Sequence, residues 1–257
     1  MSLVFNINNQ KYSTELMGKN LKEWIYTLKN QFINAETLEI TSTNDDVIGS
    51  VLSEFFREND ELLGKCTILK CKFNKISYLP KLPNCRILDC TENNLESLPE
   101  LYSCEYLSIS NNKIKELSAL PNCIYLKCDY NYLKSLPELF NCKGLICGYN
   151  QITELPNLEN CKMIECSYNN LSNITNINLD NCTELVCKRN KITKINSLPN
   201  CIEINCNSNK LSVLPDLPEC TYLDCSNNLL EKLPNIPKIK NIIHNGNKLK
   251  QEEINLV

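Results

Sequence analysis

Cys123 and Cys128 stand five positions apart in the stretch LPNCIYLKCDYNYLKSLPEL, Leu120 to Leu139, among Asp129 and three tyrosines. Thiols in such company have four possible uses: half a zinc site, half a disulfide, a reactive nucleophile, or small residues of a core. Zinc needs four ligands converging tetrahedrally, usually with paired cysteines about two to four residues apart. A disulfide needs two Cβ atoms that face each other, and a nucleophile needs a base within reach. The chain holds 17 cysteines and one histidine, His244, so the choice rests on where the other thiols fall.

They fall on a period of nineteen residues. The first column is Cys66, Cys85, Cys104, Cys123, Cys142, Cys161, Cys182, Cys201 and Cys220, with one step two residues longer, Cys161 to Cys182. The second is Cys71, Cys90, Cys128, Cys147, Cys166, Cys187, Cys206 and Cys225, with Ile109 once in its place. Together these hold all 17 cysteines. A Leu/Ile column runs from Leu69 to Ile242 and an asparagine column from Asn74 to Asn247, each Asn followed two positions later by Ile or Leu. The unit reads C-x-x-L-x-C-x-x-N-x-L-x-x-L-P-x-L. Ten consecutive units between Leu63 and Leu249 resemble the leucine-rich repeat, with cysteine at its first and third leucine positions. The short unit with its LP dipeptides is similar to the compact repeats of type III secreted bacterial effectors and of giant DNA virus repeat proteins. That resemblance implies an α/β leucine-rich repeat solenoid with a parallel β-sheet on its concave face and a mostly extended, turn-built convex side.

The physics of the columns agrees. Residues two apart on a strand share a face, so Leu126 and Cys128 point inward while Tyr125 and Lys127 point outward. No single turn can bury its apolar face alone; stacking buries it. The asparagines can serve backbone groups that the chain would otherwise bury unpaired. Leu98-Pro99 and Leu136-Pro137 favour extended backbone over helix on the outer side. In such a stack cysteine is a small hydrophobe suited to a narrow coil. Parallel sulfurs do not converge on a metal, and parallel Cβ vectors disfavour disulfides. The extra residues between Cys161 and Cys182 are expected to bulge on the outer wall near Asn173 to Asn178 and leave the sheet unbroken. His244 occupies the second cysteine column of the last repeat, where a half-exposed polar residue costs little.

A chain of 257 residues with 42% hydrophobic and 22% charged residues and a net charge of -3 has the composition of an ordinary soluble protein. Its balance offers no footprint for nucleic acid or an anionic membrane surface. MSLVFNINNQKY lacks the pattern of a secretory signal, and no window approaches a membrane span, so a reducing cytoplasmic location is expected, the host cytoplasm if the source is viral.

Residues 1–62 lack the period and read as a capping region, with residues 63–257 as the ten repeats and a short tail. LVFNI and TLEI read as strands. Asn20 and Glu23 resemble a capping box ahead of Leu21, Trp24, Ile25, Leu28 and Phe32 at helical spacing, and Asp45 or Asp46 starts a second helix. The expectation is a strand-helix-strand-helix (βαβα) cap whose strands extend the repeat sheet in parallel.

No phosphate-cradling glycine loop, nucleophile elbow or metalloprotease motif is present, so neither enzymatic activity nor a cofactor or metal is expected. The similar effectors carry a ubiquitin-ligase domain after their repeats; here the chain ends eight residues beyond Leu249, so that activity is not carried over. What remains is the outward face. Tyr125, Lys127, Tyr130, Ile146, Tyr149, Met163, Glu165, Tyr168, Val186 and Arg189 are placed there as outward strand positions, and they are rich in the residue types that interfaces favour. The expected function is binding of a protein partner on the concave face. A structural or self-assembling role, or a ligase-type adaptor docking through the N-terminal cap, are the alternatives.

Overall fold

The computed structural model describes residues 2–15, 19–43 and 45–250. The chain forms two compact units, Met1–Tyr132 and Leu133–Val257.

The first unit opens with β1 (Leu3–Ile7) and β2 (Gln10–Thr14), then α1 (Lys19–Thr27), α2 (Lys29–Ile33), β3 (Thr37–Ser42) and α3 (Asp46–Glu58). This is not the expected βαβα order. Asn8 and Asn9 take φ of 49° and 67°, the left-handed pair that closes a two-residue hairpin, so β2 folds back antiparallel on β1. β3 also runs antiparallel to β1, on its other side. Only β3 continues into the repeats in parallel, pairing with β4 (Ile68–Lys70). The strands therefore extend the repeat sheet as a mixed edge, not a parallel one.

The helical reading of residues 20–33 divides at Leu28, where α1 ends and α2 begins. Asn20 lies inside α1, one residue after its first, and does not cap it. The apolar spacing nonetheless works: Leu21, Ile25, Leu28 and Phe32 are buried, and Phe32 meets Phe5 edge-on at 5.0 Å. Asp45 caps α3, accepting from the N–H groups of Val47 (2.8 Å) and Ile48 (3.4 Å). α3 buries Ile48, Leu52, Phe55 and Phe56.

The repeats of this unit follow as β4, β5 (Ile87–Asp89), β6 (Tyr106–Ser108) and β7 (Tyr125–Lys127), and the sheet order is β7-β6-β5-β4-β3-β1-β2. The second unit is built from β8 (Gly144–Ile146), β9 (Met163–Glu165), β10 (Glu184–Val186), β11 (Glu203–Asn205), β12 (Tyr222–Asp224) and β13 (Asn241–Ile243), in that order across the sheet. Each strand has three residues, and its central Leu or Ile pairs with that of the next turn, as Leu185 does with Ile164 and Ile204. The two-residue insertion leaves this register intact. It forms a turn at residues 175–176, where Asn173 Oδ1 accepts from the Thr175 N–H at 2.7 Å, while Ile174 and Ile177 stay buried.

Asparagine joins the turns. Asn112 Nδ2 donates to the carbonyls of Cys90 on the preceding turn (3.0 Å) and Ile109 on its own (3.0 Å), and its Oδ1 accepts from the Leu95 N–H at 3.0 Å. Asn93, Asn169, Asn209 and Asn228 repeat the arrangement. A second asparagine row, just before the first cysteine column, does the same on the outer wall: Asn84, Asn122, Asn160, Asn181 and Asn200 each donate to a carbonyl one turn earlier at 2.7–2.9 Å.

Candidate binding surface on the repeat sheet

The register that buries the leucines turns the first and third residues of each strand outward. In the first unit this exposes Tyr125 and Lys127 on β7, with Tyr106 of β6 stacked on Tyr125 at 5.4 Å between ring centroids. Tyr106 belongs to the surface although the sequence reading passed over it; its place one turn before Tyr125 was the available signal. In the second unit Ile146, Met163, Glu165 and Val186 lie on strands, all half-exposed.

Tyr130, Tyr149, Tyr168 and Arg189 are not on strands, which corrects the expectation. Each lies beyond its strand, immediately before the inward-turned Asn, at φ of 55°, 52°, 55° and 53°. Left-handed backbone disfavours a bulky side chain, and here the frame overrules that preference. The N–H of Tyr149 donates to the Ser167 carbonyl at 2.9 Å, that of Tyr168 to Lys188 at 3.0 Å, and that of Arg189 to Asn207 at 2.9 Å. Within the second unit the side chains of Tyr149, Tyr168 and Arg189 are thereby thrown outward as a row. Within the second unit the rings of Tyr149 and Tyr168 stack 4.1 Å apart and 12° from parallel, and the Arg189 guanidinium lies 5.4 Å from the Tyr168 centroid.

Glu165 turns along the sheet. Its Oε1 accepts from the Ser167 N–H at 3.1 Å, and a Cβ on Gly148 would stand 2.5 Å from its Oε2, so glycine there makes room for the carboxylate.

The thiols face the other way. All 17 cysteines are reduced thiols and buried. Every first-column thiol donates to the carbonyl two residues on, at 3.1–3.5 Å, as Cys123 does to Tyr125 and Cys220 to Tyr222. Burial pushes Cys66 and Cys104 up to about 11 and Cys225 to about 12, and holds Cys90, Cys166, Cys187 and Cys206 well above the ordinary thiol value. The close approach of the Cys182 and Cys201 thiols lowers the first and raises the second, while burial raises both; protonated thiols are the form this core favours. Among the described residues no three His, Cys, Asp or Glu side chains are grouped to hold a metal, and no helix is long and apolar enough to cross a membrane. His244 is half-buried beside the last strand.

The outer wall of the first unit carries a groove of about 660 Å³ lined by Tyr78, Leu79, Leu98, Pro99 and Tyr102. Within it Tyr78 Oη donates to Asp60 at 2.5 Å, and Lys81 reaches Glu61 at 2.6 Å.

One strand, one asparagine bridge and one extended return per turn decide the architecture. The fold is a leucine-rich repeat solenoid. Solved structures agree: YopM from Yersinia enterocolitica WA-314 is 28% identical, with a TM-score of 0.67 over 72% of this chain and 43% of that one. YopM from Yersinia pestis, a leucine-rich effector protein, is 28% identical, with a TM-score of 0.54 over 88% of this chain and 60% of that one. The functional domain of InlJ from Listeria monocytogenes, which includes a cysteine ladder, matches at 20% identity and a TM-score of 0.60 over 87% of this chain and 56% of that one. The chain thus spans less than half of the first of these proteins. No family model and no curated protein matches. Leucine-rich repeat neighbours of this kind are in general protein-interaction scaffolds without catalytic activity.

Proposed function

We propose that this chain binds a partner protein through the outward face of its repeat sheet and catalyses no reaction. The observation that carries the reading is the stacked Tyr149–Tyr168 pair in the second unit, fixed by backbone hydrogen bonds beside the half-exposed Ile146, Met163 and Val186. Aromatic, methionine and arginine side chains are enriched where proteins meet, and a rigid aromatic pair loses little conformational freedom on binding. In the first unit Tyr125, Lys127 and Tyr130, with Tyr106, form a comparable surface. YopM from Yersinia pestis, at 28% identity, is a leucine-rich effector protein. The same reading puts the chain in a reducing compartment, where buried thiols stay reduced.

The test compares proteins captured from the native cell by the parent, by a Tyr149→Ala/Tyr168→Ala variant and by an outer-wall Phe140→Ser variant; Phe140 is 55% exposed and lies off the sheet face. A partner retained by parent and Phe140→Ser and lost by the tyrosine variant is the expected result. Equal capture by all three overturns the reading.

A further inference from the structure

We infer that the partner of the second unit presents an acidic segment, in which one or two carboxylates lie beside apolar side chains and are received by Arg189 and Lys188; the inference rests on the sheet-face reading above. Both cations point at one ring: the Arg189 guanidinium is 5.4 Å and the Lys188 ammonium 6.0 Å from the Tyr168 centroid. Among the described residues neither forms an ion pair. The acid closest in register is Glu165, which pairs across the sheet with Val186, two residues before Lys188. Its carboxylate is engaged instead by the Ser167 N–H and the space over Gly148. The two positive charges are therefore oriented by an aromatic ring and left uncompensated. A guanidinium lying on a ring still offers its N–H edge, and that edge matches a carboxylate in two-point contact.

The neighbouring strand positions set the rest of the ligand. Met163 and Val186 offer apolar area, while Glu184 and Glu203 pair side by side on β10 and β11. Those acids oppose a uniform polyanion, so charge complementarity favours a protein segment with sparse carboxylates over nucleic acid.

The probes are a short fluorescent peptide alternating Glu with Leu and Phe, its twin with Gln for Glu, and an oligothymidylate, each titrated by fluorescence anisotropy against parent, Arg189→Gln and Tyr149→Ala/Tyr168→Ala proteins. The parent should prefer the Glu peptide to the Gln peptide about tenfold, a preference that salt reduces and Arg189→Gln removes. The oligothymidylate should not bind. Equal affinity for the two peptides, no binding of the Glu peptide, a preference that survives Arg189→Gln, or tighter binding of the oligothymidylate each overturns the inference. A Gln-peptide affinity lost in the tyrosine variant keeps the sheet-face reading even when the charge preference fails; indifference of both peptides to the tyrosine variant sinks that reading as well.

Discussion

The backbone of Gly49, at the end of the first turn of α3, lies against the carbonyl of Lys75 so closely that a Cβ on the glycine would stand 2.5 Å from that oxygen. Ser53 completes the mooring, donating to the Gly49 carbonyl at 2.6 Å and accepting from the Ser77 N–H at 2.9 Å. The helix thus docks on the first repeat through bare backbone. On an isolated helix Gly→Ala stabilises by about 1 kcal/mol. Here overpacking of about 1–3 kcal/mol opposes that gain, so Gly49→Ala should be net destabilising. Urea unfolding measures it, and a variant as stable as the parent would show that α3 is free to shift.

Asn112 ties its own turn to the preceding one from a buried position, whereas Asn111 is exposed and takes φ of 55°. Asn112→Ala strands a buried N–H and carbonyls and should cost roughly 2–3 kcal/mol. Asn111→Gly relieves the left-handed backbone and should change stability by less than about 0.5 kcal/mol. Equilibrium unfolding of the two variants side by side distinguishes a bridging asparagine from one that merely tolerates its turn.

Thiol burial makes stability fall on the alkaline side. The folded values of about 11 for Cys66 and Cys104 and about 12 for Cys225 lie above the ordinary 9.0. Below pH 9 both states hold these protons and stability does not change; above it the unfolded chain releases them first, so stability is lost up to the folded values. Each such thiol contributes a slope of about 1.4 kcal/mol per pH unit in that window. Denaturant midpoints measured from neutral pH to pH 11 should decline steeply, and iodoacetamide at neutral pH should label the unfolded chain while sparing the folded one. A flat alkaline profile would mean that the thiols are exposed.

Tyr149 sits at φ of 52° with its ring outward, so Tyr149→Gly removes an anchor and creates no core cavity. Partner binding should weaken about thirtyfold, in line with an interface anchor worth about 2 kcal/mol. The melting temperature should stay close to the parent's. A large fall in thermal stability would show that the tyrosine row holds the turns together instead of facing a partner.

Most of the repeat architecture was legible because its columns are one-dimensional: Leu126, Cys128 and Asn131 each do what a strand period and a buried amide require. The outer-wall insertion was legible for the same reason. β2 was not, because QKYST is a polar edge strand without apolar alternation, and only the Asn8-Asn9 pair announces its turn. The tyrosine row was misplaced because local sterics argue against Tyr168 in left-handed backbone, and hydrogen bonds from the next turn decide otherwise. The outer asparagine row was visible as recurring Asn-Cys pairs, at Asn84-Cys85 and Asn181-Cys182 among others, yet its partners lie a full turn away. For the surface, side-chain type was readable from sequence, whereas the lack of an ion pair at Arg189 among the described residues depends on where Glu165 turns.

Along the repeats of each unit the asparagine bridges make successive boundaries between turns chemically alike. Within the second unit Asn209 reaches back to Cys187, and Asn228 to Cys206, by the same atoms at the same 3.0 Å. A chain built this way can change length in whole nineteen-residue steps: excising Cys201 to Glu219 would bring Asn228 to the place Asn209 now holds, with Cys187 waiting for its amide. Shortening by any other increment would set leucines against asparagines along every later turn, unless the mismatch lay on the outer wall, where the segment around Thr175 already absorbs two residues. Growth and loss of whole coils are thus open to this chain as a route to a longer or shorter binding face.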